Sequence, residues 1–475
     1  MTDHCARRPP GPGTRIGPRP LPLHLMSAIG CSVSSIAASV ALRSGSTPWN
    51  ATLAPEAQAL TRALADLAER RAAERRAAER RAAESAPPQD AGRRSDPTPD
   101  AAEAPDRAAE AARDALWRDF SAAVQAAALG RLDAMLTGIE RYRRHPYRRD
   151  LDPPPALWRE GSAALLDFRG LRAGPATGAV LLTPSLVNRA YVLDLSAECS
   201  LARWLAGRGL DVFVMDWGAP GLEERGFTLA DYVARLGRAA HRAAEAAGRP
   251  VGLLGYCMGG LLALPLATGF LGPAPPIDRL VLMAAPWDFH AEQPAKARSL
   301  GALAAAFEPM TAAVGVLPVD VIQALFAALD PFLVMRKFAA FARMAPDGAR
   351  ARGFVALEDW LNDGVALAAP VARDCLAGWY GENRPARGSW RLGGFAVRPE
   401  ALAVPALALA PAGDRIVPPA SARALARDLA ATGPGCRLIE PPVGHIGMIV
   451  AQQAQTAVWE PVRAFLSAAD PARAA

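Results

Sequence analysis

Glycines crowd around one cysteine in Val251-Gly-Leu-Leu-Gly-Tyr-Cys-Met-Gly-Gly260, and this stretch constrains the fold more than any other in the chain. Its apolar first half reads as a short buried strand. Gly255, Gly259 and Gly260 then bracket Cys257 where the chain must turn at once into a helix, a turn so tight that flanking side chains would collide. A residue on such a turn is held up at the end of its strand. Here that residue is a cysteine. A thiolate attacks a thioester readily and is itself a good leaving group, so the motif points to acyl transfer between thioesters.

Similar apolar runs recur from residue 162 onward. Strands are expected at 180–183, 212–216, 251–255, 280–284, 406–410 and 437–440, with helices at 198–207, 229–247, 259–269, 420–431 and 453–467. This alternation predicts a mostly parallel, doubly wound α/β sheet. Together with G-x-C-x-G it resembles the α/β-hydrolase fold, whose G-x-S-x-G elbow carries the nucleophile. Residues 289–399 break the rhythm with helical, aromatic-bearing sequence and are expected to form a helical cap inserted over the site. The expected core therefore comes in two parts, 161–288 and 400–475. A helical segment, 108–160, precedes it as a helical pair (108–128 and 130–142) and an extended proline-rich stretch.

A cysteine nucleophile needs a base, and the base needs an orienting acid. In this fold they follow in the order nucleophile, acid, base, each on a loop after a strand. Of six histidines, only His445, in Pro442-Val-Gly-His-Ile-Gly447, directly follows the last expected strand. Asp414, in Gly413-Asp-Arg-Ile-Val417, follows the penultimate strand and is the favoured acid; Asp288 and Asp216 also follow strands and are its rivals. The oxyanion of acyl transfer needs two backbone N–H donors. Met258, next after the nucleophile, is one, and Leu186 or Val187 in the loop after the first core strand is the other. That loop also reads as a turn held in shape by Asn188 and Tyr191.

Composition excludes other classes. Lys and Arg number 53 against 47 Asp and Glu, a net charge of +6, but the arginines are spread without aromatic-interleaved basic motifs, so nucleic acid is not an expected partner. The 6 cysteines lack C-x-x-C spacing, which argues against a zinc site or a disulfide-rich secreted scaffold and for a reduced, cytoplasmic chain. Residues 1–107 read as a low-complexity, disordered extension containing an Arg/Ala/Glu-rich helix at 55–84. The Glu-Arg-Arg-Ala-Ala repeat there advances about 140° per five residues, so no apolar stripe is sustained. The mildly apolar stretch 21–42 is interrupted by serines, so no transmembrane segment is expected. Met26 is a second candidate start.

Several motifs then converge. Leu186-Val-Asn-Arg-Ala-Tyr191, Val214-Met-Asp-Trp-Gly218, Thr228-Leu-Ala-Asp-Tyr232, Gly255-Tyr-Cys-Met-Gly-Gly260, Asp414-Arg-Ile-Val-Pro-Pro419 and Gly444-His-Ile-Gly447 resemble poly(3-hydroxyalkanoate) synthases, most closely the class III type of catalytic subunit. The resemblance implies an acyltransferase that polymerises 3-hydroxyacyl-CoA on Cys257 with Asp414 and His445. It also implies a growing polyester as product, a second synthase subunit or a homo-oligomer as partner, and a cytoplasmic location at the surface of polyester granules. No cofactor is implied, because CoA leaves as product. Trp360, in Glu358-Asp-Trp-Leu-Asn362, resembles a tryptophan of the family's cap, either as a pocket residue or as a core aromatic. The first hundred residues match nothing expected of the family, and 290–347 match it only loosely. The alternative is a cysteine hydrolase of the same fold, a thioesterase or polyester depolymerase; a non-enzymatic granule protein would leave Cys257, Asp414 and His445 unexplained.

Overall fold

The computed structural model describes residues 15–43, 54–84, 100–272, 276–431 and 434–467. They fold as two compact units. The larger comprises residues up to 20, 142–330 and those from 344 on; the other comprises 21–141 and 331–343.

The larger unit is built on eight strands: β1 (Ala156–Glu160), β2 (Ala163–Asp167), β3 (Gly178–Thr183), β4 (Leu210–Asp216), β5 (Val251–Tyr256), β6 (Ile277–Met283), β7 (Ala406–Leu409) and β8 (Cys436–Ile439). Their spatial order is β1-β2-β4-β3-β5-β6-β7-β8. All pairs from β4 to β8 are parallel, while β1 and β2 join as an antiparallel edge. This is a mostly parallel α/β-hydrolase-type sheet. Alternate residues of the central strands enter two separate cores. Leu181, Leu253 and Leu282 face one, and Val180, Leu182, Leu254 and Met283 face the other. Burial on both faces is why these strands read as continuous apolar runs.

Helices cover both faces. Leu229–Ala247 starts at a capping box, in which Thr228 and Asp231 each satisfy the other's backbone N–H, and it stops at Gly248 in the left-handed conformation. Residue pairing aligns Thr183 of β3 with Gly255 of β5, and Met283 of β6 with both Tyr256 and Leu409 of β7. The carboxyl ends of these strands therefore form one edge, where ligands bind in open parallel sheets.

Several expectations change. The β1–β2 hairpin was not foreseen. It closes on Gly161 and Ser162, with Gly161 at φ 57°, and β1 alternates between half-buried and exposed residues too briefly to show as a pattern. The extension 1–107 is not disordered throughout, since Leu21–Arg43 is a helix. Its serines do not break it, because Ser32, Ser35 and Ser39 return their hydroxyls to the carbonyls of Ala28, Cys31 and Ile36. By length and composition alone this helix is apolar enough to cross a membrane, a test that a signal sequence or the core helix of a soluble protein also passes. The expected helical pair is a single helix, Asp100–Arg144, because the cost of Gly130 is small beside the hydrogen bonding of so long a helix. It also takes in residues 100–107, expected as part of the disordered extension. The helix Ala54–Glu84 lies where one was expected. Finally, 331–343 of the expected cap belongs to the second unit.

Candidate active site

Cys257 sits between β5 and the helix Met258–Ala267 with φ 57° and ψ −127°, a backbone conformation that L-residues rarely adopt. Surrounding glycines make it possible. A Cβ on Gly259 would lie 2.1 Å from the Thr183 carbonyl oxygen, and one on Gly255 would lie 2.4 Å from the Cα of Gly260. Two hydrogen bonds pin the turn: Cys257 N donates to Met283 O at 2.8 Å, and Gly260 N to Cys257 O at 2.9 Å. The sulfur is thus fixed at the helix N-terminus, where backbone N–H groups and the helix dipole favour negative charge.

His445 and Asp414 arrive from the loops after β8 and β7. His445 Nδ1 and Asp414 Oδ2 lie 2.6 Å apart, and the Asp414 side chain is fully buried. Its other oxygen, Oδ1, accepts from Ile416 N and Val417 N at 2.8 and 2.9 Å, so the carboxylate is held on both sides. The other ring nitrogen is left for Cys257, whose sulfur acts electrostatically on the imidazole. Burial pulls the imidazole pKa down. The Cys257 sulfur and the Asp414 carboxylate more than offset this and push it up to about 10. The arrangement therefore favours a protonated histidine beside the sulfur at neutral pH.

The rival acids are engaged elsewhere. Asp288 Oδ1 accepts from His290 N and Asn383 Nδ2, and Asp216 Oδ1 accepts from Gly218 N. Met258 opens its helix, so its N–H has no intrahelical partner. In the loop after β3, Ser185 and Val187 line the cavity above Cys257, whereas the Leu186 side chain is buried in the core. Val187 N lies 3.4 Å from Ser185 Oγ. Trp360 does not line the cavity. Its ring is buried in the core on the opposite face of the sheet, and its Nε1 donates to Arg189 O at 2.8 Å. That corrects its reading as a pocket residue: the indole ties the cap helix Ala349–Asn362 to the loop after β3.

The cavity itself, of about 240 Å³, has Cys257 and Met258 at its floor and cap residues such as Leu300, Ile322, Phe326 and Leu376 as apolar walls. Lys296 and Arg415 add positive charge to its lining. Four aromatic residues were not foreseen. Tyr256 stacks on His445, with centroids 5.3 Å apart, and its hydroxyl donates to His445 O at 3.3 Å. Its place beside Cys257 in the motif was the available signal. Phe289, Trp379 and Tyr380 line the cavity, and the buried Nε1 of Trp379 has no hydrogen-bond partner among the described residues. Cys375 is a second thiol in the lining; burial holds its pKa well above the ordinary range. Among the described residues, no group of three or more His, Cys, Asp or Glu is placed to hold a metal ion.

Set beside known proteins, the chain matches no family model. It is 33% identical over 312 residues to the poly(3-hydroxyalkanoate) polymerase subunit PhaC of Synechocystis sp., covering 64% of this chain and 81% of that one. Identity to the protein of the same name from Allochromatium vinosum is 29% over 322 residues, 67% of this chain and 89% of the relative. Solved structures that match include a monoacylglycerol lipase from Paleococcus ferrophilus, at 17% identity and a TM-score of 0.43 over 65% of this chain and 99% of its own. MenH from S. aureus matches at 14% identity and a TM-score of 0.42, over 65% and 99%.

Proposed function

The chain belongs to the poly(3-hydroxyalkanoate) polymerase family, and on that premise we propose that it polymerises 3-hydroxyacyl-CoA through an acyl thioester on Cys257, with release of CoA. The observation that carries this reading is a strained cysteine, electrostatically coupled to a buried His445–Asp414 pair, in the lining of a cavity with apolar walls.

The Cys257 sulfur attacks the thioester carbonyl, and the oxyanion is taken by Met258 N–H with a second donor from Ser185–Val187. The C–S bond to CoA breaks, and His445 gives its proton to the departing thiolate. A 3-hydroxyl then attacks an acyl thioester. His445 takes the hydroxyl proton, an ester forms, and a sulfur leaves. Asp414 is the weaker candidate for this base, because its oxygens are already held by His445, Ile416 and Val417. An insoluble polyester product supports a working location at granule surfaces. The relatives' description as subunits supports a second polypeptide.

The test is an assay of purified protein with 3-hydroxybutyryl-CoA that titrates released CoA and identifies the acyl product. Insoluble polyester formed with CoA release, both lost in Cys257→Ala, is the expected result. Free 3-hydroxybutyrate in its place would make the protein a hydrolase and overturn the proposal.

A further inference from the structure

Far from Cys257 in the sequence, the short segment ahead of residue 21 contributes one deeply buried ion. The Arg15 side chain is fully buried and its partner Asp359 nearly so. Arg15 Nε and Nη2 donate to the two Asp359 oxygens at 2.6 and 2.7 Å, a two-pronged pairing. Its remaining hydrogen bonds run to His145 O and Tyr147 O, both at 2.7 Å. Tyr142 adds a third bond to the carboxylate at 2.9 Å. Asn362 Nδ2 donates to the Tyr142 hydroxyl at 3.1 Å, and Asn362 Oδ1 accepts from Arg19 N at 2.7 Å. A buried charge this completely satisfied fixes the geometry of everything it touches.

What it touches is the last turn of the cap helix Ala349–Asn362. The residues of that turn, and those just beyond it, dock on the loop after β3. Trp360 Nε1 donates to Arg189 O at 2.8 Å, and Val365 N donates to Val187 O at 2.9 Å. Asn188 and Gly364 form an isolated β-bridge, and Arg189 reaches Asp363 at 3.5 Å. Val187 and Ser185, at the other end of this loop, line the cavity beside Cys257 and Met258. The connection therefore runs from Arg15, through one helical turn, to the loop assigned the second oxyanion donor.

We infer that Arg15 is a positioning residue for acyl transfer: by clamping Asp359 it sets the loop Ser185–Val187 against Cys257. The inference rests on the loop's role under Proposed function. It also gives residues 15–20, ahead of the helix Leu21–Arg43, a part in the chemistry.

The test uses the full chain and two readouts. One is kcat and KM for CoA release from 3-hydroxybutyryl-CoA. The other is the rate at which iodoacetamide alkylates Cys257, a reaction that needs the thiolate but no oxyanion donor. In Arg15→Met, kcat is expected to fall about tenfold, as small misplacements of reacting groups do, with KM within about twofold and alkylation unchanged. Arg15→Lys, which keeps the charge but not the fork, should lie between. Should Arg15→Met fail to fold, the double variant Arg15→Met/Asp359→Leu removes both buried charges and should fold, with the same loss of kcat. Wild-type kcat in a folded variant would overturn the inference. So would equal losses of kcat and alkylation, which mark a merely structural residue. A wild-type protein that alkylates at Cys257 but releases no CoA would instead overturn the functional reading.

Discussion

Replacing Gly259 by alanine tests how closely the turn carrying Cys257 and the loop after β3, to which we assign the nucleophile and the second oxyanion donor, are fitted. The added Cβ would lie 2.1 Å from the Thr183 carbonyl oxygen, 2.9 Å from the Thr183 carbonyl carbon and 2.8 Å from Pro184 O. Ordinary contact starts near 3.4 Å, so a close-packed interior must open by about 1 Å. The obstructing atoms are backbone, and no side chain can swing aside. Either the turn carrying Cys257 and Met258 retreats or the chain leading into Ser185–Val187 does, and both separate the sulfur from its donors. A misplacement of that size costs about a hundredfold in rate, or about 2.7 kcal/mol of barrier, while overpacking costs about 1–3 kcal/mol of stability. The assay is kcat for CoA release, measured where circular dichroism shows the variant folded. Gly130→Ala is the control. A Cβ there meets nothing within 4 Å, and alanine inside a helix is better by about 0.5–1 kcal/mol. Folded Gly259→Ala with kcat within about threefold of wild type would refute the idea that acyl transfer depends on this spacing.

Asp414→Asn should move the alkaline limb of the kcat profile to lower pH. His445 holds its proton up to about pH 10 partly because of that carboxylate, so an unmoved limb would remove Asp414 from the role of orienting acid. Iodoacetamide at neutral pH should label Cys257 and leave Cys375, whose thiol burial keeps protonated; peptide mass spectrometry that finds Cys375 modified under folding conditions would contradict this. Trp379→Phe removes a buried donor that has no partner among the described residues, so thermal stability should hold or rise. Loss of stability would mean that the indole N–H has a partner within the fold.

The parallel strands were legible because burial on both faces leaves only apolar residues to use. In β5 the run Val251–Tyr256 is buried throughout, and no polar residue interrupts it. The hairpin β1–β2 carries no such mark. Its five-residue strands lie at the edge of the sheet, and Arg159 and Glu160 are compatible with a loop. The helix Leu21–Arg43 was obscured by its own composition, since serine favours turns and caps unless its hydroxyl folds back on the helix, as at Ser32 and Ser35. Gly130 misled in the opposite sense, suggesting a break where a Cβ would in fact meet open space.

The site divides along a similar line. Cys257 announces itself because a strained backbone demands glycine around it, and Asp414 and His445 because each lies directly beyond a strand of the sheet; these are local requirements that a sequence must display. The groups that hold them are different in kind. Arg15 and Asp359 are 344 residues apart, and pairing over that distance imposes no spacing and no period. Arg15 sits in Pro-, Gly- and Arg-rich sequence that reads as disordered, while Asp359 lies in a helix where an acidic residue is ordinary. Only the fold shows that the two meet in a two-pronged pair and that both are removed from water. A buried charge cannot be left alone without large cost. Any change that loosens the segment ahead of residue 21 should therefore be felt at Asp359 first and, through Trp360 and Val365, at the loop beside Cys257.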